Sequence, residues 1–235
     1  MEKLIYLLNR TPDMSVDAIG HATTEKIAPV LAREGAYRIT ANIADVTEII
    51  AQHAPARISK GWETVGAVLS FWLDSLDARF AIEALFADSS AGYAGYLVTE
   101  SVVKGYERTW SDGERRPGYA LFSALGKPAG VPDEEFYYWW QIRHSQSSAR
   151  LHPHRWSYVR NAVARPLTPD APPHRAIVLE HFRDFADFTD DSRFYGGEAA
   201  LAEMYEELPH YCDFDSMISG PVSEYSFAWD IPGNV

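Results

Sequence analysis

The stretch "SDGERRPG" at residues 111–118 divides the sequence. It is polar and rich in turn-forming residues, and apolar segments resume on both sides of it. Read outward from this break, the two flanks are alike. "LIYLLNRTPDMSVDAI" (4–19) lines up with "YALFSALGKPAGVPDEEF" (119–136) across a small insertion. Each has a short apolar strand, a proline-containing loop, and a polar residue, Ser15 or Asp133, where a helix N-cap belongs. "AYRITANIA" (36–44) lines up with "RWSYVRNAV" (155–163), Asn42 against Asn161, and "VLSFWLDS" (68–75) with "IVLEHFRD" (177–184). "VVKGYERTW" (102–110) lines up with "PVSEYSFAW" (221–229) at the offset of the asparagine pair, setting Tyr106 against Tyr225 and Trp110 against Trp229.

Each half therefore reads strand, helix, strand, strand, helix, strand. In the first half the predicted strands are 3–9, 36–43, 65–72 and 97–107, with helices at 15–34 and 76–87. In the second they are 119–125, 155–163, 176–183 and 218–228, with helices at 132–149 and 197–208. "RPLTPDAPPH" (165–174) holds four prolines in ten residues and reads as a loop. This βαββαβ order is that of a ferredoxin-like unit. Such a unit leaves one sheet face bare of helices, and two bare apolar faces in one chain should pack together. The expected fold is α+β, with two ferredoxin-like units packed sheet-to-sheet. Residues 1–110 form the first, 111–118 the linker and 119–235 the second.

The 235 residues carry a formal charge of −12, which argues against nucleic acid and anionic membranes as partners. The one cationic cluster, "ERRP" (114–117), is too short to bind phosphates. The single cysteine, Cys212, excludes a disulfide within the chain and points to the reducing cytoplasm. The apolar run at the N-terminus ends at Asn9, too short for a signal peptide or a membrane span, and reads as a strand.

"GVPDEEFYYWWQIRH" (130–144) resembles the N-terminal helix motif of EthD-domain proteins, with Phe136, Trp139, Trp140 and His144 in the motif positions. "RWSYVRN" resembles that family's next strand, with Tyr158 and Asn161 in place, and "HYCDFDSMISGPVSEY" (210–225) its acidic approach to the last strand. The first half matches only in outline, through "MSVDAI", "KIAPVL" and "YRITAN". The resemblance implies a dimeric α+β barrel, here made by two halves of one chain. Its superfamily includes cofactor-free polyketide cyclases, quinone-forming monooxygenases and muconolactone-type isomerases. Some relatives bind haem through a histidine, but nothing in these residues is specific for it, and no cofactor is expected. Aligning the helices sets Ala22, Thr23 and Ile27 against Trp139, Trp140 and His144, so the resemblance implies one site, in the second half.

At about 100° per residue, Phe136, Trp140 and His144 share one helix face, so the histidine sits on or beside the apolar side. Partial desolvation there keeps an imidazole neutral near pH 7 and able to take a proton. The plainer reading is a core histidine hydrogen-bonded to a backbone carbonyl or to a tyrosine. His181 shares a strand face with Ile177 and Leu179, and Glu180 takes the other face. Tyr158 and Asn161 point to opposite faces; Tyr158 could orient a substrate oxygen, while Asn161, repeated as Asn42, suits a structural role. "LHPHRW" (151–156) has two histidines two apart but no further metal ligand nearby, "CDFDS" (212–216) reads as a polar loop, and Ser223 lacks a nucleophile elbow.

The expected function is cofactor-independent proton transfer on an aromatic or polycyclic molecule, of cyclase, isomerase or lyase type. His144 is its acid or base, His181 a second catalytic group, and Phe136, Trp139, Trp140 and Tyr158 the substrate-binding wall. The alternatives are a non-catalytic metabolite-binding or accessory protein of an oxygenase system, and a cofactor-free monooxygenase. No metal is expected; a homodimer of the fused barrel is the other partner to look for.

Overall fold

A computed structural model describes residues 1–229. The strands are β1 (Glu2–Asn9), β2 (Tyr37–Ala44), β3 (Val65–Leu73), β4 (Gly92–Lys104), β5 (Tyr119–Gly126), β6 (Arg155–Pro166), β7 (His174–Phe182) and β8 (Asp213–Phe227). The helices are α1 (16–33), α2 (Glu48–His53), α3 (Arg79–Ser89), α4 (133–151), α5 (Phe185–Thr189), α6 (Asp191–Phe194) and α7 (Glu198–Glu207). All strand pairs are antiparallel and close a barrel in the order β1-β3-β2-β8-β5-β7-β6-β4. The halves thus contribute the runs β4-β1-β3-β2 and β8-β5-β7-β6. They do not stack as two separate open sheets. They join along both edges, β2 against β8 and β4 against β6, so each half's bare face becomes barrel interior and no edge is left unpaired.

Three apolar layers follow from strand alternation. On the outer face of the first half, α1 and α3 cover Leu4, Tyr6, Ile39, Leu69 and Phe71. The barrel interior holds Ile5, Leu7, Val68, Tyr96, Phe122 and Ile177. On the outer face of the second half, α4 and α7 cover Leu125, Tyr158 and Val178. Trp62 lies against the lumen residue Phe122, the ring centroids 6.1 Å apart. A Cβ added to Gly220 of β8 would lie only 2.0 Å from the Trp62 ring. Gly220→Ala should therefore destabilise the barrel by about 1–3 kcal/mol, because a flat, buried indole has no room to move. Urea denaturation checks this; an unchanged midpoint contradicts that packing.

Asn42 donates to the Val68 carbonyl at 3.5 Å and Asn161 to the Ile177 carbonyl at 3.3 Å, each the residue opposite it on the neighbouring strand. These asparagines tie strands, as their repetition suggested. The match of the last strands is wrong, however. Asn161 faces Glu100 across one seam and Asn42 faces Glu224 across the other, so Glu100 corresponds to Glu224. Tyr106 and Trp110 lie beyond the end of β4, whereas Tyr225 lies inside β8 opposite Ala41. The aromatic spacing was coincidence; the paired positions are the glutamates.

Smaller departures have local causes. β4 begins at Gly92, five residues before the predicted 97. "CDFDS" is not a loop: β8 begins at Asp213. The short helices α2, α5 and α6 have too few turns to show a helical period. Among the described residues, no helix is long and apolar enough to cross a membrane.

Candidate active site

α1 and α4 each contain a π-helical turn at the same place, Ala22–Ile27 and Tyr138–Arg143. The N–H of Ala28 reaches back to Thr23, and that of His144 to Trp139, one residue further than in an α-helix. His144 therefore corresponds to Ala28, one position beyond Ile27. The widened turn delivers the His144 ring inward, to the edge of a cavity of about 390 Å³ between the sheet and the helices of the second half. Trp140, Tyr158, Glu180, Tyr195 and Tyr211 are among its walls.

His144 is buried, and its Nδ1 lies 3.0 Å from Glu207 Oε2 at the end of α7. The Ser147 hydroxyl donates to the same carboxylate at 3.0 Å and fixes its rotamer. A carboxylate oxygen accepts, so Nδ1 carries the proton and Nε2 the lone pair. Burial lowers the His144 pKa, outweighing Glu207, which raises it. The result is a neutral base with a set tautomer. The Tyr211 ring centre lies 5.4 Å from that of His144. Its buried hydroxyl has no partner among the described residues, and burial pushes its pKa well up, so it stays a donor. Burial likewise pushes Tyr158 up to about 12.

Charge on the floor of the cavity is paired. Burial opposes ionisation of Glu180, but Arg155, hydrogen-bonded to it, holds its carboxyl below the usual range. The Arg155 guanidinium stacks 3.6 Å from the centre of the Tyr158 ring. His152 gives its Nδ1–H to the Phe194 carbonyl at 3.0 Å, and burial pushes it down to about 4. Arg57, from the first half, reaches the same cavity and stacks 3.7 Å from the centre of the Phe194 ring.

The residues expected at the site divide. His144, Trp140 and Tyr158 come together on the cavity. Phe136 is fully buried behind it, packed on Trp140 with ring centres 5.8 Å apart, and belongs to the core. Trp139 stacks on His210 at 3.9 Å between centres, away from the cavity wall. His181 is on the other side of the sheet, inside the barrel, 3.4 Å from Glu224, so it cannot serve His144. The strand period sends Glu180 to the cavity in its place. His152 turns inward while His154 stays near the surface, 3.7 Å from Asp187, so the His-x-His pair does not converge. Among the described residues, no group of three or more His, Cys, Asp or Glu is placed to hold a metal ion. Nothing in the local sequence marks Glu207 and Tyr211, because only folding brings them to His144.

The equivalent position in the first half is filled by rings. Strand registers set Tyr6 against Ser123, Phe71 against Glu180 and Ile39 against Tyr158. Tyr6 and Phe71 stack with centres 5.9 Å apart, and Phe86 packs on Tyr6 at 4.9 Å. All three rings are fully buried. Large rings occupy the space that Ser123 leaves open in the second half.

No family profile matches the chain, and no curated protein matches it in sequence. Solved structures do match it in fold. A protein described as anthrone oxidase-like is 10% identical with a TM-score of 0.59, over 100% of this chain and 95% of its own. Two mutant forms of chlorite dismutase from Candidatus Nitrospira defluvii are 11% and 12% identical, each with a TM-score of 0.52, over 94% of this chain and 91% of theirs. These are dimeric α+β barrel proteins, and the likeness establishes the fold.

Proposed function

We propose that the helix-side cavity of the second half is the active site of a cofactor-independent enzyme that moves protons on hydroxylated aromatic or polycyclic molecules. The observation that carries this is the His144–Glu207 pair, in which Nδ1 is tied to the carboxylate of Glu207 and Nε2 is left as the basic nitrogen of a residue that lines the cavity. About 390 Å³ falls within the roughly 300–1,000 Å³ of small-molecule sites. Nε2 takes a proton from an activated carbon, and the electron pair moves onto the neighbouring carbonyl oxygen. Tyr211, with Tyr158 beside it, donates to that enolate oxygen. The imidazolium then returns its proton to a different carbon, completing an isomerisation. Alternatively, the enolate carbon attacks a second carbonyl of the same molecule and the new alkoxide takes the proton, completing a cyclisation. Both balance without an oxidant.

We read the chain as an EthD-like tandem of two ferredoxin-like units, a reading supported by the shared strand order, the paired π-turns and the twin asparagines. An oxygenase would begin with the same deprotonation and pass the carbanion's electrons to O₂. The fold shared with the anthrone oxidase-like protein makes anthrones a sensible first panel, with oxygen uptake telling the two reactions apart.

Two variants test the site. Ser123→Tyr gives the second half the residue that fills the first, so binding and turnover of the panel should disappear while circular dichroism is unchanged. Full retention of both would place the chemistry elsewhere. Binding without turnover in the wild type would favour the non-catalytic reading. Glu207→Gln removes the charge that raises the His144 pKa, so the acid limb of kcat/KM should shift to lower pH and the plateau should fall. An unmoved acid limb would detach Glu207 from the base.

A further inference from the structure

The barrel encloses a second cavity, of about 200 Å³, on the opposite side of the sheet from His144. Its deep wall is apolar, with Ile5, Val68, Phe122 and Ile177. Its upper wall holds buried ionic groups that the proposed mechanism does not use. Lys3 is hydrogen-bonded to Glu100 and, at 2.9 Å, to Asn161 Oδ1. Arg116, from the connection between β4 and β5, lies 3.4 Å from Glu224 through Nη1. The short "ERRP" cluster thus sends one arginine, 3% exposed, into the lumen.

The glutamate–asparagine positions recur at both seams and suit a structural role. His181 does not recur: Trp72 stands where it does. Arg116 also has hydrogen-bonding capacity left over. Its Nε and Nη2 are buried with no partner among the described residues; of the His181 ring nitrogens, Nδ1 has no partner there and Nε2 lies 3.4 Å from Glu224. The guanidinium is held by stacking, 3.6 Å from the centre of Tyr106 and 4.6 Å from that of Trp156. Leaving such donors buried and unbonded is costly, and a barrel filled with apolar side chains would avoid that cost. At the mouth, Arg38 adopts φ +47°, which non-glycine residues rarely adopt, and its N–H is bonded to the Ala228 carbonyl at 2.7 Å. The buried cations Lys3 and Arg116 match the two carboxylates, Glu100 and Glu224, and the exposed Arg38 adds one further positive charge at the mouth.

We propose that the barrel lumen is a binding site for a small monocyclic aromatic carboxylate. The carboxylate meets the free edge of Arg116, with His181 beside it, and balances the surplus positive charge. The ring lies on Phe122 and the aliphatic wall. Size sets the one-ring limit, since an apolar cavity of about 150 Å³ holds benzene and this one has room for little more than one added polar group. The site does not depend on the proton-transfer reading of the other cavity.

Benzoate is the probe, with benzyl alcohol and benzylamine as its neutral and cationic counterparts, in titrations followed by calorimetry. Wild-type protein should bind benzoate and prefer it to both counterparts by about tenfold or more. Leu179→Phe, which fills the lumen and leaves every charge in place, should abolish binding. Arg116→Lys, which keeps the charge but not the planar fork, should weaken it about tenfold. Ser123→Tyr, which fills only the helix-side cavity, should leave it unchanged. Absence of benzoate binding, stronger binding of benzylamine, retention in Leu179→Phe, or loss in Ser123→Tyr would each overturn the proposal.

Discussion

His144→Ala is expected to lower kcat/KM on the true substrate by roughly 10²–10⁴-fold, the usual contribution of a positioned acid–base group. The loss should fall mainly on kcat. Trp140, Tyr158 and Tyr195 still line the cavity in the variant, so ground-state binding survives. The fold should also survive, because removing the imidazole leaves the Ser147 hydroxyl still donating to Glu207. Exogenous imidazole should restore part of the rate, since the deleted ring opens space at the end of an existing cavity. Turnover equal to wild type would eliminate His144 as the base. A loss confined to KM would recast it as a binding residue.

The second large effect is on stability. Burial pushes His152 and His174 down to about 4, against an ordinary value of 6.5. Between these values the unfolded chain binds protons that the native state refuses. Stability is therefore fully present above pH 6.5 and is lost as pH falls toward 4. Each histidine should withdraw on the order of 3 kcal/mol over that window. Two such losses rival the roughly 5–15 kcal/mol total of an ordinary domain. His144 and His181, also lowered by burial, act in the same direction. Urea midpoints should fall steeply from pH 7 to 4.5. His174→Leu should flatten that slope, because neither ring nitrogen of His174 makes a hydrogen bond among the described residues and little is lost in replacing it. An unchanged slope in that variant would remove His174 from the explanation.

Much of the architecture could be read from the sequence because it is local. Strand alternation, the proline-rich loop and the repeated asparagine are visible within short windows, although that loop is 167–173, since Arg165 and Pro166 end β6 and His174 begins β7. The faces of β7 were legible too: His181 and Glu180 do point apart. What could not be read is which element covers each face. Period two says that His181 leaves the side of Glu180. It does not say that one side is a closed barrel and the other a cavity under α4 and α7. Glu207 and Tyr211 lie over sixty residues from His144 and meet it only through packing. Arg116 was hidden for a different reason. A charged, glycine-flanked segment reads as surface, and only the stacking of Tyr106 and Trp156 on its guanidinium shows otherwise.

The filled outer face of the first half has one more consequence. A barrel built from two identical chains must accept every substitution twice. A tyrosine placed at one copy of a cavity closes the other copy as well. Here β1–β4 and β5–β8 belong to one polypeptide, so Tyr6 can act as scaffold while Ser123, its counterpart, keeps a hollow. One side can change freely in chemistry while the other keeps the barrel shut. A variant library confined to residues around the hollow should therefore alter selectivity with little loss of folded yield.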